Sequence, residues 1–262
     1  MYKTLNIMGY DIFIDEISNI KIDFNKKQVI NTINPHSYVT AKNDNDFTEA
    51  LQASDTLLPD GSGIVLAAKQ VNKVNIQKIA GSDLHIYLLE ELNKMGGSVF
   101  YMGASQNTLD KINKRIAQEY PKVKVGSYSP PFKANFTDDE NAEIIAQVNT
   151  FDPDVLLIGM TAPKQEKWLH THKKDLNYKL ASSVGAVFDF YAGTVVRPSQ
   201  LWLDLHLEWL PRLLKEPRRL WRRNFVSTPI FLKDMLIYRI LIKFLASSFF
   251  HYILFFTHYG IL

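Results

Sequence analysis

A parallel α/β sheet covered by helices on both faces is the fold class this sequence predicts, and two features predict it. Strand-like and helix-like segments alternate along the chain from Gln28 to Val184. The strand-like segments are continuous apolar runs, such as Val155-Leu156-Leu157-Ile158, rather than stretches with every second residue apolar. Continuous runs belong to strands buried on both faces, the condition of a parallel sheet between two helical layers. Ligands of such sheets bind outside the carboxyl ends of the strands, so polar residues at those ends are the first candidates for function.

Taken in order, Thr4 to Ile14 alternates polar and apolar residues around Gly9, the pattern of an N-terminal β-hairpin. Gln28 to Ile33 reads as a strand ending at Asn34-Pro35, with a loop beginning there, and Asp46 to Ser54 as a helix. Thr56 to Leu58 is a short strand running into Pro59-Asp60-Gly61, followed by a helix from Ser62 to Lys69. Ser82 to Met95 is helical, with Leu84, Leu88, Leu89 and Leu92 on one face and Gly96-Gly97 as its stop. Strands at Ser98–Met102, Val123–Tyr128, Val155–Met160 and Lys179–Val184 then alternate with helices at Leu109–Glu119, Asp138–Asn149 and Gln165–Lys173. After Gly193 the pattern turns helical, interrupted by prolines 198, 211, 217 and 229. The expected organisation is a core over residues 1–195 and a helical, basic and apolar appendage over 196–262.

At 262 residues the chain is long enough to bury a substantial core. Its 46% hydrophobic and 22% charged residues are ordinary for a globular protein. No cysteine is present, which rules out disulfides, thiolate metal sites and thiol nucleophiles. Asp11, Asp15 and Glu16 stand where a signal peptide needs an apolar core, so the cytoplasm is the expected compartment. The net charge of +3 is modest but unevenly placed. Between Arg197 and Arg223 seven basic residues face three acids, a local field suited to phosphates, anionic lipid headgroups or nucleic acid. Beyond it, Phe244 to Leu262 holds no Lys, Arg, Asp or Glu, a stretch roughly long enough to span a bilayer core. Arg239, Lys243, Ser247, His251 and His258 nevertheless fall within an arc of roughly 120° on a helix. That leaves a wide apolar face and favours a helix lying in the membrane plane over one crossing it; packing onto the core or another subunit is the plainer alternative.

Several strand-end residues are placed for chemistry. Thr32 and Asn34 close the first long strand, although an Asn-Pro pair that simply ends a strand looks the same. Asp60 sits between a strand and a helix with Gly61 and Gly63 beside it, where a ligand can approach the backbone closely. An aspartate there can take a proton from a hydroxyl as general base; an isolated Asp-Gly is more often only a turn. Lys78 precedes Gly81-Ser82-Asp83, a turn that could neutralise a diphosphate through Lys78, with Asp83 capping the helix or binding a hydroxyl. Gly103 opens a turn open to a nucleotide, but no Gly-x-Gly-x-x-Gly set is present. In Ala162-Pro163-Lys164-Gln165-Glu166-Lys167-Trp168, Gln165 would point from the first helical turn toward the crevice. Its amide can donate to and accept from hydroxyls at once. Glu166 and Lys167 read as surface or helix-start charges, and Trp168 as core. Arg218/Arg222 and Arg219/Arg223 are i,i+4 pairs forming two basic ridges on one helix, with guanidinium forks that match phosphates. No Asp-x-Asp or histidine cluster suits a metal, so no cofactor or metal is expected.

The motifs Asn34-Pro35-His36-Ser37-Tyr38-Val39-Thr40-Ala41, Leu57-Leu58-Pro59-Asp60-Gly61-Ser62-Gly63 and Ala162 to Trp168, with the arginine region after them, resemble the WecG/TagA/CpsF glycosyltransferases in the same order over Leu5 to Phe225. The resemblance implies a Rossmann-like sheet with an N-terminal hairpin and a C-terminal appendage that meets the membrane. It implies an inverting transfer of an N-acetylmannosamine-type sugar, its uronic acid or a related hexose. The donor would be a UDP-sugar and the acceptor a polyprenyl-diphosphate-linked sugar, at the inner face of the cell membrane, in cell-surface polysaccharide or teichoic acid synthesis. Asp60 then resembles the catalytic base, Thr32, Asn34 and Gln165 the polar groups of the site, and Arg212, Arg218 and Arg222 the arginines that hold diphosphate, with Arg197 nearby. The sequence departs from the family pattern where Lys78 replaces an arginine, His206 a glycine, and Arg197-Pro198-Ser199 the usual Arg-Ala-Pro. Another Rossmann-type nucleotide-sugar enzyme and a non-enzymatic membrane or nucleic-acid module are the competing readings. The apolar tail beside the arginines favours a bilayer over nucleic acid as partner, and a homo-oligomer stays open.

Overall fold

The structure, a computed structural model, describes residues 3–195, 202, 213 and 217–242, with no side-chain description at 217–219. Strands β1 (Thr4–Ile7) and β2 (Tyr10–Phe13) form the antiparallel N-terminal hairpin. The main sheet has six strands: β3 (Gln28–Ile33), β4 (Thr56–Pro59), β5 (Ser98–Gly103), β6 (Lys124–Tyr128), β7 (Val155–Gly159) and β8 (Leu180–Ser183). All its pairings are parallel, in the order β4-β3-β8-β7-β5-β6. The chain leaves β5 toward β6 and leaves β7 toward β8, in opposite directions, so the β5–β7 boundary is a topological switch point.

The two faces of the sheet are covered by different helices, as the pleat requires. Ile30, Tyr101 and Leu157 pack under α4 (Gly81–Met95), α5 (Gln106–Glu119) and α8 (Val187–Tyr191). Their neighbours Val29, Phe100 and Leu156 pack under α6 (Asp138–Phe151) and α7 (Lys164–His172). Successive strand residues therefore bury on opposite sides, which is why the strands read as unbroken apolar runs. A third cluster at the β4 edge joins the hairpin to α1 (Pro35–Ala41), α2 (Asn45–Gln52) and α3 (Ser62–Ala67), which continues as a π-helical turn over Ala68–Asn72. The C-terminal helix also packs there.

The main departures from the sequence reading are at proline. The expected loop after Asn34 is helix α1. Asn34 is its N-cap, its side-chain oxygen accepting from His36 N and Ser37 N at 3.0 Å each, and Pro35 occupies the first helical position, where its missing N–H costs nothing. Pro229 does not interrupt the last helix. Helix α9 (Pro217–Arg222) runs through a π-helical turn (Arg223–Ser227) into α10 (228–242) without a break. The wider turn relieves the clash between a mid-helix proline ring and the preceding carbonyls, and Thr228 Oγ1 bonds Arg223 O at 3.2 Å. The 195/196 boundary falls at the edge of the described residues.

Candidate active site

Two backbone hydrogen bonds gather the first group of strand-end residues. Asp60 N donates to Ile33 O, and Ile79 N to Pro59 O, both at 2.9 Å. The chain leaving β4 is thereby held against the end of β3, and the segment bearing Lys78 against the end of β4. Gly61, at φ +98°, makes the turn after Asp60; a Cβ there would stand 3.7 Å from Asn34 Cβ and Pro35 Cδ. Asn34, Asp60 and Lys78 thus come together at one corner of the sheet, each half-buried. Thr32 lies in register with Leu58 and is the residue of β3 that is not fully buried. The N-cap of α3 is Gly61. Asn34 is partly committed, since its oxygen caps α1.

Beside this corner the sheet opens. The β3–β8 ladder contains only Gln28↔Leu180 and Val29↔Ala181. Farther up, the side chain of Asn31 takes the place of the backbone, its Oδ1 accepting from Ser183 N at 3.1 Å. The strands diverge toward their carboxyl ends, the face where ligands of parallel sheets bind. At the switch point Gly103 has φ +111°, and a Cβ there would lie 2.7 Å from Gly159 O, so this turn admits glycine alone. Ala104 N bonds Gly159 O at 3.1 Å, and Ser105 Oγ caps α5 through Thr108 N at 3.3 Å. Gly81, opening α4, approaches Val184 and Val187 across the crevice floor.

Gln165, expected to point toward the crevice, is a buried side chain. It is 4% exposed, with its amide beneath Gly185; a Cβ on that glycine would stand 3.5 Å from Nε2. Its Nε2 donates to Glu166 Oε1 at 2.8 Å, while its own Oε1 has no partner. Glu166 is a helix-start charge, in the first turn of α7, but not a surface one. It is 6% exposed because α7 is packed between the sheet and α2, and burial pushes its pKa up to about 7. Lys167 faces the other way, bonding both oxygens of Asp44 at 3.0 Å. Trp168 is core, its Nε1 held by Asn141 Oδ1 at 2.9 Å. Nothing local in the sequence marks Glu166 as buried; only the helix pairing of α2 with α7 does so.

Asp83 turns out to be a cap. Its Oδ2 accepts from Ala80 N at 2.9 Å at the start of α4. Arg197 and Arg212 lie outside the described residues, and for Arg218 only the backbone is described. Arg222 is exposed, whereas Arg223 is half-buried near His36. His36 Nδ1 bonds Ser227 Oγ at 2.8 Å, and its pKa is lowered by burial first and by the Arg223 charge second. Sequence reasoning passed over this contact, in which the π-helical turn brings the second arginine ridge to the foot of α1. A cavity of about 420 Å³ between the hairpin, α1, α2 and α10 is lined by none of the strand-end candidates.

Comparison with known proteins decides the family. The sequence profile of the Glycosyl transferase WecG/TagA/CpsF family matches residues 5–243. The chain belongs to this glycosyltransferase family. Three relatives share the name N-acetylglucosaminyldiphosphoundecaprenol N-acetyl-beta-D-mannosaminyltransferase. One from Bacillus subtilis (strain 168) is 31% identical over 211 residues, 80% of each chain. One from Bacillus spizizenii is 29% identical over 224 residues, 86% of this chain and 84% of the relative. One from Staphylococcus aureus (strain MW2) is 25% identical over 236 residues, 87% and 90% of the two chains. The WecG/TagA/CpsF match extends past Phe225 into α10, so the C-terminal helix belongs to the family framework. This glycosyltransferase therefore carries the expected Rossmann-like sheet, N-terminal hairpin and helical C-terminal segment.

Proposed function

We propose that this glycosyltransferase moves an N-acetylmannosamine-type sugar from a UDP-linked donor to a polyprenyl-diphosphate-linked sugar, with inversion at the anomeric carbon. The relatives' shared name supports the sugar and the acceptor class. The observation that carries the mechanism is the convergence of Asp60, Asn34 and Lys78 at the ends of β3 and β4, beside the divergence of β3 from β8. Asp60 takes the proton of the acceptor hydroxyl as that oxygen bonds the anomeric carbon. The bond from that carbon to the diphosphate breaks, and the electron pair leaves on UDP. A positioned base of this kind contributes roughly 10²–10⁴-fold to rate. Thr32 and the amide nitrogen of Asn34 orient the sugars, and Gln165, buried beneath Gly185, supports that turn from below. Asp83 braces the start of α4 through Oδ2.

Lys78, the glycine turn at Gly103 with the α5 N-terminus, and the arginines of the appendage meet the diphosphate charge. In this reading no metal takes part, and turnover persists in excess chelator. The enzyme works as a peripheral protein at the inner membrane face. What supports this is the outer side of α10, where Leu232, Leu236, Ile240 and Leu241 are exposed together. Among the described residues no helix is long and apolar enough to cross a membrane.

The test is UDP release by the full-length protein from a panel of UDP-sugars, with a short-chain polyprenyl-diphosphate N-acetylglucosamine as acceptor. Release from UDP-N-acetylmannosamine that requires the acceptor, and continues with EDTA, is the expected result. Absence of release from every donor contradicts the reading.

A further inference from the structure

A pocket lies apart from the strand-end corner, at the other end of α1. Its volume is about 420 Å³, within the span of roughly 300–1,000 Å³ in which small-ligand sites fall. Four elements wall it with polar side chains: Tyr10 from β2, Tyr38 from α1, Asn45, Thr48 and Gln52 from α2, and Tyr238 from α10. Tyr10, Tyr38 and Ala41 are buried beneath it, whereas Lys42, Asn45, Gln52 and Ile237 are exposed around it. A ligand therefore reaches it from solvent.

We propose that this pocket binds the neutral, hydroxyl-rich head group of a membrane glycolipid. Charge argues against a phosphate as the group recognised. Lys42 and Asp234 are the charged residues of the lining, and they pair with each other, Nζ donating to Oδ2. Among the described residues the lining thus carries no surplus positive charge for an anion to meet. It offers rings, amides and hydroxyls instead. Tyrosine joins an apolar ring to a polar tip, and a primary amide donates and accepts at once. A sugar presents the matching surface, with C–H groups on its ring faces and hydroxyls, each both donor and acceptor, around its edge. Two of the rings are held against each other, Tyr10 and Tyr38 standing edge to face with centroids 6.1 Å apart.

The surroundings of the pocket favour a sugar carried on lipid. Ile237 lines it and is 43% exposed, and Leu236, Ile240 and Leu241 continue the exposed apolar surface along α10. A head group seated beside Tyr238 leaves its hydrocarbon chains against that ridge, where a free saccharide has nothing to place. The diphosphate-linked acceptor is a poor occupant, because its charge belongs with Lys78 and the appendage arginines. This inference rests on the reading of the α10 ridge as the membrane contact and is independent of the chemistry assigned to Asp60.

The experiment measures co-sedimentation of the full-length protein with three kinds of vesicle: phosphatidylcholine alone, phosphatidylcholine with diglucosyl-diacylglycerol, and phosphatidylcholine with the same share of phosphatidylglycerol. The glycolipid should strengthen binding about tenfold over phosphatidylcholine alone, the worth of one to three added hydrogen bonds. Asn45→Trp, which crowds the entrance, and Gln52→Ala change exposed side chains. Each should remove most of that gain while leaving binding to phosphatidylglycerol vesicles and turnover of a soluble acceptor unchanged. Titration of the protein with methyl glucoside, a short-chain alkyl glucoside and inorganic phosphate separates the sources. The alkyl glucoside should bind about tenfold or more tighter than methyl glucoside, through its chain on the ridge, and phosphate should not displace it. Three results overturn the inference: glycolipid vesicles bound no better than phosphatidylcholine, variants that weaken phosphatidylglycerol binding equally, or methyl glucoside bound as tightly as its alkyl counterpart. Failure of the ridge reading shows separately, as binding to phosphatidylglycerol vesicles that survives Leu236→Glu with Ile240→Glu.

Discussion

Glu166 pays for its position in the pH dependence of folding. Its carboxyl has an ordinary pKa of 4.5 in the unfolded chain and about 7 in the folded protein, through burial. Between those values the unfolded state is ionised while the folded state holds its proton, so stability falls as pH rises through that window. The cost is absent below pH 4 and complete above pH 7, on the order of 3 kcal/mol. Glu166→Gln should accordingly melt higher than wild type at pH 8 and alike at pH 4, as read by thermal denaturation across the pH range. An equal shift at both pH values would show that the carboxylate is not titrating where burial places it. At this scale the sequence revealed unequally. The strand-end placement of Asp60 and of Gly103 was legible because glycines at the end of an apolar run are a local signal. Glu166 was not, because whether a charge in the first turn of a helix meets water depends on which helix lies across it.

Elements were legible wherever apolar periodicity set them. β3 occupies the residues its pattern predicts, Gln28–Ile33, and α4 begins one residue before the expected start. Helix α1 was hidden by Asn34-Pro35, which announces a turn and a helix start equally well; seven residues gave too little periodicity to choose. α10 shows the converse. Its Arg239 was expected on the polar arc of a helix lying in the membrane plane; its Nη1 bonds Gln70 Oε1 at 2.8 Å, and Phe231 and Met235 are buried in the core on the same side. Arg239 thus faces protein, while Leu236 and Ile240 face out, 51% and 65% exposed. The register of a helix's stripes is readable from sequence, but not which stripe the rest of the fold takes. Replacing both residues, Leu236→Glu with Ile240→Glu, should reduce co-sedimentation with anionic liposomes at least tenfold, because each apolar side chain is worth about 1–3 kcal/mol when buried. Turnover of a soluble short-chain acceptor should stay within about twofold of wild type. Undiminished liposome binding would show that the membrane contact lies elsewhere.

For the molecule as a whole, the C-terminal segment is laced to the catalytic sheet rather than appended at a distance. His36 to Ser227, Tyr38 to Phe231 and Lys42 to Asp234 form successive contacts down α1, which begins at the candidate base's corner. The same helix that presents an apolar ridge outward therefore braces the element that Asn34 caps. This arrangement fits an enzyme whose acceptor has its sugar in the crevice and its lipid in the bilayer. The parallel sheet and its strand-end crevice were legible at this scale, because buried strands and glycine turns are written locally. The lacing was not, since it joins residues about 190 positions apart. The central claim is that Asp60 accepts the acceptor's proton at that crevice, and the most direct measurement is single-turnover sugar transfer by Asp60→Asn. The account predicts a fall of at least a hundredfold in rate, with unchanged melting temperature and UDP affinity. Transfer by Asp60→Asn at the wild-type rate would contradict it.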